Sequence, residues 1–191
     1  MKKIVLGLAG EIAAGKSTVA NYLKEKHQAE NCRFSTALRD VARRMCLEES
    51  RENLQKISTL FRENFDDNLL SKVIAQDVKR SKASLVVIDG VRRLADIAYL
   101  KRLKGFCLIY IEASIEKRYA RIIRRKENSD DKQKTFKQFQ VDHQREAERQ
   151  VKELKKEAIF ILDNNGDKRA LFGQVEKMLL SLKNKVCENF N

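Results

Sequence analysis

Eight consecutive residues, Gly10-Glu11-Ile12-Ala13-Ala14-Gly15-Lys16-Ser17, carry the spacing G-x-x-x-x-G-K-[ST]. A loop that wraps a phosphate chain must turn its backbone N–H groups inward, and glycines allow the φ values and the close approach this needs. The pattern predicts that Gly10, Ala13, Ala14, Gly15 and Thr18 line the phosphates of a nucleotide. Lys16 would reach the β- and γ-phosphates, and the Ser17 hydroxyl would meet Mg²⁺. The helix beginning there would point the positive end of its dipole at the same anion. A second stretch, Ser84-Leu85-Val86-Val87-Ile88-Asp89-Gly90, closes an apolar run on an acid and a glycine. Asp-Gly at a strand end is by itself a turn signal. Beside a phosphate loop it reads as a buried strand delivering a carboxylate, Asp89, to a metal and phosphate site. Arg92 and Arg93 follow at once, and their planar guanidiniums suit phosphate.

These groups need a frame. Ile4 to Ala9 is an apolar run that reads as a buried parallel strand, and Val19, Tyr22, Leu23 and Lys26 fall at helical spacing in a helix reaching about Gln28. Cys32-Arg33-Phe34 is expected as a second strand ending at Ser35-Thr36. The next helix shows Leu38, Val41, Ala42 and Met45 on one face, with Arg39 off that stripe, facing solvent or a ligand. Leu54, Ile57, Leu60 and Phe61, then Leu69, Leu70, Val73 and Ile74, mark two more helices separated by a polar region from Asn64 to Asn68. Another begins at Leu94, with Ile97, Ala98 and Leu100. Phe106 to Ile111 and Ala158 to Leu162 complete five strands alternating with helices, the pattern of an α/β parallel sheet.

Between the last two strands lies a helical excursion from Ile115 to Lys156, broken at 127–131. Its residues 116–156 hold 14 Lys/Arg against 8 Asp/Glu, a basic cover. Arg118, Arg121, Arg124 and Arg125 crowd the first arm beside the apolar stripe Ile115, Tyr119, Ile122 and Ile123; each arginine fits a ligand role or a solvated helix face. On the second arm Phe136, Phe139, His143, Ala147, Val151 and Leu154 form a stripe, which makes His143 a packed residue. Asp163 to Asp167 is a turn, and the final helix repeats Leu171, Phe172, Val175, Met178, Leu179 and Leu182 as a core face.

The 191 residues, 42% apolar, suffice for one domain with a full core. A net charge of +13 implies an anionic partner, for which nucleotide phosphates and nucleic acid both qualify. Cys32, Cys46, Cys107 and Cys187 are widely spaced with no C-x-x-C, so they read as reduced thiols and no zinc is expected. No apolar run approaches the ~20 residues of a membrane span, and the chain reads as cytosolic.

With these residues in view, the sequence resembles the P-loop nucleotide kinases, which include adenylate, cytidylate and dephospho-coenzyme A kinases. It is most similar to their archaeal adenylate-kinase-related, dephospho-CoA-kinase-like members. The resemblance implies the three-layer α/β fold of P-loop NTPases, with a five-stranded parallel sheet in one domain, 1–191, and a helical lid inserted at about 115–156. Asp89-Gly90-Val91-Arg92-Arg93 is similar to the D-G-[FY]-P-R segment whose arginine grips the acceptor phosphate; this gives Arg93 that role, with Arg92 standing where the family has proline. Phe34-Ser35-Thr36-Ala37-Leu38-Arg39 resembles S-T-G-x-x-x-R with shorter spacing, making Arg39 a second grip. Arg121-Ile122-Ile123-Arg124-Arg125 looks like the R-I-x-G-R start of the lid, which implies catalytic roles for Arg121 and Arg125, and Arg145 lies where the lid returns. Asp163-Asn164-Asn165-Gly166 resembles the D-N-x-G turn that flanks the ATP base, which points to Asn165.

Cofactors expected on this basis are ATP and Mg²⁺, and the expected reaction is in-line phosphoryl transfer to a small acceptor. A hydroxyl acceptor such as the 3′-OH of dephospho-CoA benefits from a carboxylate base near the second strand end, whereas a phosphate acceptor is already anionic. Phe34-Ser35-Thr36 contains no acid, and Asp40 lies a helical turn further on. A nucleoside monophosphate is therefore favoured over dephospho-CoA. A nucleic-acid-associated ATP-binding module is the rival of another class, supported by charge but not by aromatics interleaved with the basic stretches.

Overall fold

The computed structural model describes residues 3–124, 135–143 and 146–188. Five strands, β1 (Ile4–Ala9), β2 (Glu30–Arg33), β3 (Leu85–Asp89), β4 (Phe106–Glu112) and β5 (Phe160–Asp163), form one sheet in the order β2-β3-β1-β4-β5, with every pairing parallel. The helices are α1 (Lys16–His27), α2 (Phe34–Arg44), α3 (Arg51–Asn64), α4 (Leu69–Arg80), α5 (Leu94–Ile97), α6 (Ile115–Arg124), α7 (Phe136–His143), α8 (Glu146–Glu157) and α9 (Lys168–Glu188), with a short 3₁₀ turn at Leu100–Arg102.

Near-continuous apolar runs suit strands covered on both faces, and the sheet is covered on both. Val5, Val86, Ile88, Leu108 and Tyr110 point into a core shared with α2, α3, α4 and α8. Leu6, Leu8, Val87, Ile109 and Ile111 point the other way, onto α1 and α9. The result is a three-layer α/β structure. The expected face of the last helix holds, with Leu171, Val175, Met178, Leu179 and Leu182 all buried.

Two boundaries differ from the sequence reading. The second strand is Glu30–Arg33, and Phe34 already opens α2, its ring buried in the core, so Ser35 and Thr36 lie in a helical first turn. The helix expected from Leu94 is one turn, α5, followed by 3₁₀ geometry, because Ala98 and Tyr99 turn the chain back toward β4. His143 ends α7, and Arg125 and Arg145 lie outside the described residues.

Candidate active site

The chain leaves β1 toward β2 and β3 on one side, and β4 and β5 lie on the other, so the loop after β1 stands at the switch point of the sheet, where ligand crevices form. Gly10 closes the strand at φ +145, and a Cβ there would lie 2.3 Å from the Ile111 carbonyl oxygen of β4. No larger residue fits. Ala13 adopts φ 60 and Gly15 φ 110, so the loop turns twice through left-handed geometry before α1 begins. Among the described residues no side chain caps α1, whose first N–H groups are thereby left to an anion.

The outer, carbonyl side of the loop is held by two arginines of α6. Arg121 Nη1 donates to the carbonyls of Ala13 and Ala14 at 3.3 Å each, and its Nη2 donates to the Asn164 carbonyl at 2.7 Å. Burial pushes its pKa below the ordinary arginine value. Arg118 is 2% exposed. It donates to the Ala113 carbonyl at 3.1 Å and the Ile12 carbonyl at 3.4 Å, pairs with Glu11 at 3.3 Å, and lies 5.7 Å from the Phe139 ring centroid. Lys152 of α8 stands 3.8 Å from the same Glu11 carboxylate. Within the loop the Ala14 N–H donates to the Glu11 carbonyl at 3.1 Å. On the loop itself, Lys16 Nζ donates to the carbonyls of Gly10 at 2.5 Å and Glu11 at 3.0 Å, while Ser17 is exposed and Thr18 half-buried.

Asp89 ends β3. Gly7 is registered with Ile88, so Asp89 stands beside the end of β1, next to the loop. The Ser17 hydroxyl and the Asp89 carboxylate are hard oxygen donors, a set that fits Mg²⁺. On its other side Asp89 is registered with Arg33, whose Nε lies 3.6 Å from Oδ2. Beyond Asp89 the chain turns at Gly90, φ 96, against Phe34. Asp96, 3% exposed, then accepts the backbone N–H groups of Arg92 at 2.8 Å and Arg93 at 3.1 Å on one carboxylate oxygen. Its other oxygen accepts from Arg62 of α3 at 2.8 Å. The Arg93 side chain stands 4.0 Å from Asp67, and Arg92 is exposed. Arg39 donates to Ser35 Oγ at 3.0 Å and lies 3.5 Å from Glu49.

Three findings refine the sequence reading. Arg118 belongs to the buried face of α6, not to a solvated one, because a carboxylate, two carbonyls and a ring meet its charge there. Asn164, not Asn165, touches the loop: it is buried and donates to the Ala14 carbonyl at 2.7 Å. Asn165 instead accepts from the Ser114 N–H at 2.8 Å and ties the turn to the start of α6. Arg33, Asp96 and Arg62 carried no motif, and Glu11 fills a variable position of the phosphate loop. The one available signal was the spacing of Arg118, three residues before Arg121, which places both on one helix face.

The sheet order and the phosphate loop define the class, a P-loop fold built like those of nucleotide and small-molecule kinases. Residues 6–160 match the model of the AAA domain, and the chain belongs to that family. Among curated proteins it is 30% identical over 135 residues to the UPF0200 protein of Saccharolobus solfataricus, covering 69% of each chain. It is 27% identical over 123 residues to that of Hyperthermus butylicus, covering 64% of this chain and 66% of that one, so the matches span about two thirds of the relatives' lengths. Among solved structures, shikimate kinase from Bacteroides thetaiotaomicron superposes with a TM-score of 0.64 at 14% identity, over 94% of this chain and 98% of that one. TT1252 from Thermus thermophilus superposes with a TM-score of 0.59 at 18% identity, over 95% and 99%. These two share the fold.

Proposed function

We propose that this chain is a cytoplasmic kinase that transfers the γ-phosphoryl group of ATP to the phosphate of a nucleoside monophosphate. One observation carries the reading: the phosphate loop, Asp89 and the arginines of the β2 and β3 ends converge at one end of the sheet, and β2 ends on Arg33 where a hydroxyl acceptor would want a base.

In this reading Gly10, Ala13, Ala14, Gly15 and Thr18 wrap the phosphates of ATP, with Asn165 toward its base. Lys16 swings from its loop carbonyls onto the β- and γ-phosphates, and the N-terminus of α1 holds the same charge. Ser17 and Asp89 hold Mg²⁺, which when bound offsets the charge of the phosphates. Arg92, Arg93 and Arg39 grip the acceptor phosphate, whose oxygen attacks in line and needs no base. The excursion at about 115–156 serves as a lid within the single domain 1–191, with Arg121, held on the loop carbonyls, and Arg125 offsetting the charge of the transferred group, and Arg145 on the acceptor. Positioning and charge do most of the work, as phosphoryl transfer requires.

The test is ADP release measured with AMP, CMP, GMP, UMP and dephospho-CoA, with and without Mg²⁺. Turnover that depends on a monophosphate and on Mg²⁺ is expected. Turnover with dephospho-CoA alone assigns a hydroxyl acceptor, and salt-sensitive RNA binding without acceptor-dependent turnover assigns a nucleic-acid module.

A further inference from the structure

We propose that Asp96 and Arg62 form a positioning relay that aims the Arg92–Arg93 turn at the acceptor phosphate, an assignment resting on the phosphotransfer reading above. A single Asp96 carboxylate oxygen accepts both turn N–H groups, at 2.8 and 3.1 Å, which fixes two successive peptide planes and with them the directions in which the two arginine side chains leave the chain. Position 92 stands where the resembling kinases carry proline. A proline would set φ and offer no N–H. Here the N–H is present, and it is the handle by which the turn is held.

The second oxygen of Asp96 is met by Arg62 Nη2 at 2.8 Å, and Arg62 Nη1 also donates to the Asp67 carbonyl at 2.9 Å. Arg62 is on α3, and Asp67 lies between α3 and α4, so the relay ties that connection to the turn after β3. Asp67 is shared, since its carboxylate lies 3.2 Å from Arg62 and 4.0 Å from Arg93. The Asp67 side chain is 60% exposed, so its hold on Arg93 is weak and an incoming phosphate can replace it. Asp96 and Arg62, at 3% and 11% side-chain exposure, stay in place during that exchange. Desolvating two charges to cap a four-residue helix is a poor use of burial energy, because apolar replacements of such pairs often leave stability unchanged. Fixing the aim of a ligand-binding turn is a use that an apolar pair could not serve.

The experiment measures calorimetric Kd for AMP, CMP, GMP and UMP, and separately for ATP, in the wild type, Asp96→Asn, Arg62→Met and Arg62→Lys, with thermal unfolding of each. An asparagine oxygen can serve the turn or Arg62 but not both. Asp96→Asn is expected to weaken binding of the preferred monophosphate about tenfold while ATP binding stays within about twofold, matching one lost charge-assisted hydrogen bond. Arg62→Met should move the same Kd in the same direction, and Arg62→Lys should recover part of it. If Asp96→Asn does not fold, Arg62→Met carries the test, since Asp96 then keeps its two N–H bonds. Unchanged monophosphate binding in the folded variants, or equal loss of both nucleotides, overturns the relay. A wild type that binds a monophosphate without phosphorylating it removes the phosphotransfer reading alone, and the relay is still read from Kd. A wild type that binds none of the four overturns both.

Discussion

The side chain of Asn164 stands where a side chain on Gly15 would have to go: a Cβ built on Gly15 would lie 2.1 Å from Asn164 Nδ2. That nitrogen donates to the Ala14 carbonyl at 2.7 Å, so the turn after β5 braces the phosphate loop from behind. Gly15→Ala therefore meets two penalties, the contact and a φ of 110, the latter costing about 1–2 kcal/mol by itself. In an Asn164→Ala background the contact is relieved and only the φ penalty remains. Urea unfolding of the four proteins should show a smaller Gly15→Ala cost when Asn164 is absent, and equal costs would mean that the two residues do not press on each other.

Lys16→Ala should abolish turnover while leaving thermal unfolding near that of the wild type, because the lysine is only half-buried and its partners are loop carbonyls. ADP release and circular dichroism measured on one preparation check both halves. Normal turnover would remove the proposed mechanism.

Arg118→Ala removes one partner of a buried ion pair and uncovers the Ile12 carbonyl, so a loss of about 3 kcal/mol or more is expected in urea unfolding. Arg118→Lys should recover little, since an ammonium cannot fork among a carboxylate and two carbonyls. ATP affinity should fall with stability, because the same contacts shape the loop. A variant as stable as the wild type would place the pair outside the loop's support.

Replacing Arg93 by alanine should raise the acceptor KM by about 30- to 150-fold, the equivalent of a lost charge-assisted pair at about 2–3 kcal/mol, and leave the ATP KM nearly unchanged. Arg93→Lys should restore part of the loss. The same substitutions at Arg92 decide which of the two neighbours holds the phosphate. If neither moves the acceptor KM, the acceptor lies elsewhere than at the β3 end.

Glu176 of α9 accepts from Tyr22 at 2.5 Å and lies 2.9 Å from His27, joining α9 to α1. The Tyr22 hydrogen bond foremost, with those of His27 and Lys26, lowers its pKa to about 2 from an ordinary 4.5. A carboxylate whose folded pKa is depressed contributes stability that is present above its unfolded pKa and is lost as pH falls through the window from about 4.5 toward 2. The stability difference between the wild type and Glu176→Gln should be present at about pH 5 and shrink as pH falls across that window. Parallel pH profiles in guanidinium would show that the contact carries no linkage.

What the sequence alone determined about this protein is what depends on local pattern. Strand runs such as Ile4 to Ala9, the helical stripe from Leu171 to Leu182, and the spacing from Gly10 to Ser17 are each set by residues close in the chain, and each was legible. The tertiary structure decided what depends on which segments meet. Arg118 looked like one charge among several until Glu11, Ile12, Ala113 and Phe139 surrounded it. Asn164 and Asn165 are neighbours in one turn, and only the close approach of Gly15 made the first the brace. Arg33 became part of the site because β2 and β3 pair in a register that puts it opposite Asp89. Register and helix docking are settled by burial summed over the whole sheet, and no short window of residues contains that sum.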